Sequence, residues 1–524
     1  LRIAEDRFGE LDDWGERNLG EAAVLDEFIT AAVAAAPADH YALVFWDHGS
    51  MTGVGPDDSA NDVLEGWEIA AGLESALLTT GIDLDLIGFD ACLMASLEVV
   101  SVVAPYATYM IASEELEPNE GWDYSGFGYL AGEGGTVVDL GRSILDAYLA
   151  TSGPYDPTVT LSMLDLREYD DFAAAMSGFT TTALSTLDTT AVEIGRRRDK
   201  TVKFGEDPDP LQDWFMVDLG QLLGRLSRSE TPLAPDATTA VTELEDLVVL
   251  SVNGPASEGA RGLSIHFPPS PDLHYPNWYE AYGDPVWSGF LNGYFNAGRS
   301  IPLDRQAAVV DASPYTTFFF DDYGLEVDAE IEPLALDTVV SAVLWSGIPE
   351  PDGSVTFYSS DQGLVESGLG IGFYDLTQLR LSDGVDEAIA FQQLSISEDL
   401  TLVTMTVPMA YRAPVDSANG IFDDPIDVNL VVTYNLETDE FTENVYWSNV
   451  GTVGAFVPEP DGLFYPVVPY QHSDGTLEWL VTSEVGLWSD LPFLTYEFVD
   501  LASGTPLYAE LSCPISAGTR RRCT

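Results

Sequence analysis

An α/β domain followed by an all-β domain is the architecture that this 524-residue chain predicts, on three observations. Apolar runs alternate with amphipathic stretches over the first half, the pattern of strand–helix–strand units on a mostly parallel sheet flanked by helices. After about Phe295 the texture turns to short β-branched or aromatic runs cut by Gly, Pro and Asp turns, which reads as an antiparallel, sandwich-like domain. A composition of 46% hydrophobic and 11% aromatic residues supplies a core for both halves and excludes a wholly disordered chain.

In the first half, Tyr41–Asp47, Leu84–Asp90, Thr108–Ala112 and Thr158–Leu164 read as strands. Each is nearly continuously apolar between turn residues, as strands buried on both faces are. Helical periodicity covers Glu21–Ala36, Val63–Thr79, Cys92–Val103 and Val138–Thr151, and a further strand-like run is Gly262–Phe267. In the second half, Val339–Trp345, Val355–Tyr358, Leu400–Val407, Val428–Tyr434 and Phe493–Phe498 read as strands, with turns such as Pro351-Asp352-Gly353 between them. The boundary falls near Ala297–Pro302, dividing the chain into residues 1–297 and 298–524.

Twenty Lys+Arg against 87 Asp+Glu give a formal charge of -67, and only two of the cations are lysines, Lys200 and Lys203. Such a surface repels phosphate backbones and anionic headgroups, which argues against nucleic-acid and membrane-surface partners. Acid-rich, lysine-poor composition on an ordinary core suggests life in high salt, where screening removes much of the self-repulsion. No window reaches the ~18 apolar residues of a membrane span, and no leader-like segment opens the chain. Of the three cysteines, Cys513 and Cys523 are close enough for a terminal disulfide loop, leaving Cys92 as an odd thiol.

The chemistry gathers at two strand ends. His48 and Gly49 follow the strand ending Phe45-Trp46-Asp47, and Cys92 follows the strand ending Phe89-Asp90. In an open parallel sheet the carboxyl ends of strands converge on a crevice, so an imidazole and a thiol would meet there. That is the pairing needed for a thiol nucleophile and a proton donor to a leaving amine. Gly49 and the Cys92 N–H could face a developing oxyanion, and a helix opening at Cys92 would favour thiolate through its positive end.

The strings YALVFWDHGS, GFDACLMASLEV, IASEELEPNEGWDYSGF, ARGLSIHFP and WSGFLNGYF appear in this order, and together they resemble the clostripain family of cysteine peptidases. The resemblance runs from about Gly15 to Phe295 and implies a caspase-like fold for residues 1–297. It implies a catalytic His48, a nucleophilic Cys92, and an Asp90 that favours Arg or Lys at P1; Glu114 and Glu115, at the end of the next strand, would add to that negative pocket, with Glu114 taken as the second substrate-binding residue. The physics agrees, since a partly dry carboxylate selects a cation. A secreted endopeptidase acting on peptide substrates follows, with no cofactor for the chemistry and calcium as an activating or structural ion. Acidic turns such as Asp423-Asp424 offer ligands for calcium but define no set, and Asp57–Glu68 fails as an EF-hand because Asp62 stands where Gly is required.

Two departures stand out. Few residues precede Gly15, so the family's first strand has little room in this sequence and a sheet edge would be exposed. No Lys or Arg occurs between Arg17 and Arg142, which closes self-cleavage after a basic residue between the His and Cys motifs. The basic run Arg196–Lys203 reads as a solvated helix face, with a cleavage site as its rival reading. For the whole chain, two other readings share these strings: a non-catalytic extracellular adhesion or binding protein on a degenerate peptidase scaffold, and a transpeptidase.

Overall fold

A computed structural model describes residues 2–4, 7–9 and 14–512, apart from 58, 119, 132–134, 155, 209–212, 270–284, 302–315, 321–323, 332, 334, 367, 397–400, 437, 439, 449–453, 457, 482–486, 489–494 and 503–504. Cys513 and Cys523 lie outside the described residues, and so does the Asp321-Asp322 turn.

The first half is built as its alternation predicts. In chain order its main elements are α1 (Ala22–Ala35), β1 (Ala42–Trp46), α2 (Gly66–Thr80), β2 (Leu84–Asp90), α3 (Leu97–Val103), β3 (Ala107–Ala112), α4 (Val137–Ser152), β4 (Thr160–Asp165), α5 (Tyr169–Asp199), α6 (Leu219–Ser227), α7 (Ala234–Leu247), β5 (Val248–Asn253) and α8 (Pro285–Arg299). The five strands form one sheet in the order β5-β4-β3-β2-β1. β1, β2 and β3 are mutually parallel, while β4 runs antiparallel to both β3 and β5. β2 is buried over nearly its whole length, and β4 throughout. Their side chains join two apolar clusters, one including Leu73, Val100, Phe172 and Phe290, the other Leu86, Ile111, Ile144 and Tyr148.

Local chemistry fixes the helix ends. α4 opens on a reciprocal capping box between Thr136 and Asp139. α2 opens on a similar box between Glu65 and Glu68 and stops at Gly81, whose φ of 70° suits a left-handed C-cap. That box corrects the predicted helix Val63–Thr79. Asp62–Glu65 is instead a strand paired antiparallel with Gly53–Asp57, which in turn pairs with Gly49–Ser50.

The second correction is the predicted helix from Cys92. Residues 92–96 do not coil, because their backbone is taken by distant partners. The Leu93 N–H bonds to the Glu115 carbonyl at 3.3 Å, the Ala95 N–H to Ser113 at 2.8 Å, and the Ala95 carbonyl accepts from Ser264 at 2.9 Å. Leu93 takes a φ of 61°, a left-handed conformation uncommon for leucine. α3 begins only at Leu97, after Ser96 caps the Val99 N–H at 3.2 Å.

The second half is β-rich. Fourteen described strands form one branched sheet, mostly antiparallel, with one parallel pairing between Val355–Glu366 and Gln392–Ile396. Its apolar centres include Leu379, Met405, Val432 and Phe464 in one cluster and Leu325, Leu344 and Tyr374 in another. The halves touch at defined points. Val431, in β6 (Ile426–Asn435), packs against a cluster formed by Met51, Cys92, Leu93, Leu116, Phe204 and Met216. Asn429 bonds to Asp207, and Arg196 donates to the carbonyls of Val339 and Leu336 at 3.0 Å each. Arg198 is buried and donates to the Phe267 carbonyl at 2.9 Å. The basic run is therefore no solvated face: two of its guanidiniums are anchored to backbone oxygens. Among the described residues no helix is long and apolar enough to cross a membrane.

Candidate active site

The parallel register of β1 and β2 sets Trp46 opposite Asp90. His48 and Cys92 thus stand two residues beyond the same rung, at the carboxyl ends of adjacent strands. Gly49 lies directly on the Cys92 backbone: a Cβ there would come within 2.5 Å of the Cys92 carbonyl oxygen and 2.9 Å of the Ala91 Cβ. Only glycine allows that approach. His48 itself is exposed, with its N–H held by the Asp47 carboxylate at 2.6 Å. Among the described residues no hydrogen bond joins its ring to the Cys92 thiol.

Cys92 is buried. Its Sγ accepts the Glu117 N–H at 3.1 Å and lies 3.9 Å from the Glu117 carbonyl oxygen. Burial drives the thiol pKa far up, and the neighbouring Glu117 and Glu115 push in the same direction, opposing the Glu117 N–H. The expected help from a helix terminus is absent, since α3 starts five residues later. In this conformation the sulfur is a neutral thiol, held under the segment that follows β3.

Asp90 lies below it at 3% exposure. Its Oδ1 accepts the Trp122 N–H at 2.9 Å and its Oδ2 the Tyr124 hydroxyl at 2.8 Å. Gly121, with a φ of 62°, sits against the same carboxylate, where a Cβ would fall 2.5 Å from Oδ1. Facing Asp90 is the carboxyl of Glu117, 4% exposed, whose Oε1 accepts the Trp122 indole N–H at 3.2 Å. Burial raises the pKa of both acids, and the charge of Asp90 raises Glu117 further, well above the ordinary carboxyl range.

Glu114 and Glu115 are placed elsewhere. The Glu114 carboxyl accepts the Gly262 N–H at 2.8 Å and pairs with Asp218, while Glu115 accepts the N–H groups of Leu116 at 2.8 Å and Gly205 at 2.9 Å. Neither meets Asp90. β3 ends before Ser113, and the chain then crosses over Cys92, so that Glu117 is the acid turned toward Asp90. The string IASEELEPNEGWDYSGF already held Glu117, Gly121, Trp122 and Tyr124, but its spacing does not say which glutamate faces the strand end. Among the described residues no group of three His, Cys, Asp or Glu side chains is placed to hold a metal ion.

The family model described as Clostripain family matches residues 6–287, more than half of the chain. The chain belongs to the clostripain family. Clostripain of Hathewaya histolytica is 24% identical over 340 residues, an alignment covering 54% of this chain and 62% of that protein, so the chain spans somewhat under two thirds of that relative's length. Among solved structures, an inactive zymogen C11 protease from Parabacteroides distasonis is 22% identical, covering 54% of this chain and 79% of the other at a TM-score of 0.42. A secreted C11 cysteine protease from Bacteroides thetaiotaomicron, solved with an irreversible peptide inhibitor, is 19% identical, covering 52% and 78% at a TM-score of 0.41.

Proposed function

We propose that this chain is a secreted cysteine endopeptidase that cleaves after Arg or Lys, with Cys92 as nucleophile and His48 as its proton partner. The observation that carries the reading is the shared rung. A thiol and an imidazole two residues past Trp46 and Asp90, with Gly49 pressed on the Cys92 backbone, are arranged for acyl transfer at one strand edge.

In the first step the Cys92 proton passes to His48 as Sγ bonds to the scissile carbonyl carbon. The oxyanion is met by backbone N–H groups near Gly49 and Cys92. The C–N bond breaks, the amine leaves with the proton from His48, and a thioester remains. Water then gives a proton to His48, its oxygen bonds to the acyl carbon, and the acid departs as the thiolate recovers. Asp90 would set the P1 preference for a cation. No metal enters any step.

In the resting structure Sγ accepts the Glu117 N–H at 3.1 Å. The test is cleavage of a peptide library in high salt, read by mass spectrometry, with labelling by an arginyl electrophile. Cleavage after Arg and Lys, lost with Cys92→Ala, is the expected result; equal cleavage after Arg, Leu and Asp would refute the specificity. The buried, neutral thiol favours a second reading, a non-catalytic binding protein, for which the native chain would neither cleave nor take the label.

A further inference from the structure

We propose that the cleft between β6 and Asp207, where the two halves meet, is a subsite for a basic side chain of the peptide substrate away from P1. The second half would then take part in choosing what is cut. The inference rests on the peptidase reading above and deepens it.

Strand register builds the cleft. β6 pairs antiparallel with Leu402–Arg412, which sets Asn429 opposite Pro408 and Asp427 opposite Ala410. Leu402–Arg412 also pairs with Leu463–Gln471, with Ala410 opposite Tyr465, and Leu463–Gln471 pairs with Leu477–Val481, with Pro469 opposite Trp479. Side chains alternate across a strand, so Asp427, Asn429, Pro408, Val467 and Trp479 share one face of this four-stranded segment. The opposite face carries Met405, Met409, Val428, Leu430 and Phe464 into an apolar core. The face turned away from that core lines a cleft of about 300 Å³, and Asp207 of the first half lines it too. Asp207 is 7% exposed, and its Oδ2 accepts the Asn429 side-chain N–H. Both halves thus contribute to one site.

Its chemistry selects a ligand. Trp479, Pro408 and Val467 supply apolar surface, Asp207 and Asp427 supply two carboxylates, and no Lys or Arg stands among the described lining residues. Apolar walls beside carboxylates suit a side chain with a long apolar stem and a cationic head, that of lysine or arginine. The same carboxylates repel an acidic or phosphorylated segment. The cleft also lies close to the nucleophile. Val431 follows Asn429 on the same face of β6, about 7 Å along the strand, and packs against the cluster that contains Cys92. An extended peptide covers that step in roughly two to three residues, so a side chain near the scissile bond reaches the cleft while the bond lies at Cys92. Contacts so far from the reacting atoms hold ground state and transition state alike, and they therefore lower KM without raising kcat.

The experiment uses the full chain and a parent peptide with Arg at P1 and neutral residues elsewhere. One added lysine is moved a position at a time along both sides of the scissile bond, and kcat and KM are measured for native protein, Asp427→Asn and Asp427→Lys. Asp424→Lys, an exposed neighbour outside the cleft lining, is the control for general surface charge. At one position or two adjacent ones, lysine is expected to lower KM for native protein by about fivefold to tenfold, the scale of one charge-assisted contact, with kcat unchanged. Norleucine there should leave KM near that of the parent. Asp427→Asn should lose most of the gain and Asp427→Lys all of it, while Asp424→Lys keeps it. Anisotropy of the fluorescein-labelled lysine peptide with Cys92→Ala should show the same advantage over the labelled parent. A KM indifferent to lysine at every position, a gain that survives Asp427→Lys, or a gain lost equally in Asp424→Lys would overturn the proposal. Absence of any cleavage after Arg or Lys by native protein would instead overturn the peptidase reading, and the anisotropy, which needs no turnover, tells the two failures apart.

Discussion

Glu114 and Glu117 are three residues apart, and each meets a buried aspartate, yet their surroundings differ in kind. Glu114 pairs with Asp218, which caps α6 through the Gln221 N–H and accepts the Arg261 N–H at 2.5 Å. The Arg261 charge eases the ionisation of Asp218, and the Gly262 N–H does so for Glu114. That pair ties together the end of β3, α6 and residues 261–262. Glu117 pairs with Asp90, whose other partners, Trp122 and Tyr124, come from the loop just after Glu117, and no described cation serves it. Where the fold brings donors and a cation from several elements, a buried acid pair is a structural joint. Where it brings none, the buried acids keep raised pKa values with no described opposite charge beside them.

The largest effect should separate the two pairs by function. Asp90→Asn is expected to lower kcat/KM for P1-Arg peptides by about a hundredfold or more, the scale of losing a specific counter-charge, with little change in the melting midpoint. A loss of folding equal to the loss of activity would erase the contrast. Asp218→Ala should do the reverse, costing about 2–3 kcal/mol in a urea titration through a lost helix cap and two unpaired buried donors, while the Arg/Lys preference stays as it was.

pH sharpens the comparison further. A carboxyl whose folded pKa is raised holds a proton that the unfolded chain releases above roughly pH 4, so stability is greatest on the acid side and falls as pH rises. Asp218 is raised to about 6, and Glu115 and Asp213 to about 8 by burial. The melting midpoint should therefore decline from pH 5 to pH 8, and Glu114→Gln should lessen that decline. A midpoint rising over this interval would contradict the assignment. Salt should act least on either pair, both being buried. At fixed pH the midpoint is expected to rise between 0.1 and 1 M NaCl, as the Debye length shortens from ~10 to ~3 Å around a charge of -67. Native, Asp90→Asn and Glu114→Gln proteins should rise in parallel. A fall with salt would refute the high-salt adaptation and leave the peptidase reading intact.

How far the sequence reveals this molecule follows from the range of the forces involved. β2 was legible because its run Leu84–Asp90 is apolar enough to be buried on both faces, whereas β1, read the same way, is an edge strand with no fully buried residue and an exposed Trp46. The helix from Cys92 was misread because its periodicity is genuine, while the bonds that straighten it come from Ser113, Glu115 and Ser264, far off in the chain. The same limit hid Glu117. Which of several nearby glutamates turns toward Asp90 depends on how residues 113–117 cross Cys92, and spacing carries no trace of that path. Arg196 and Arg198 looked like surface charge because their acceptors are carbonyls at Leu336, Val339 and Phe267, which any sequence would provide.

The packing of Val431 against the cluster that contains Cys92 bears on how the protein can be taken apart. Its two halves are not interchangeable modules. Cutting the chain after Arg299 would strip the cover from Leu93, Phe204 and Met216 and leave Arg196 without the two carbonyls that hold it. An excised first half would carry a wetted apolar seam beside its thiol, and on warming the whole chain both halves should melt in one transition rather than two.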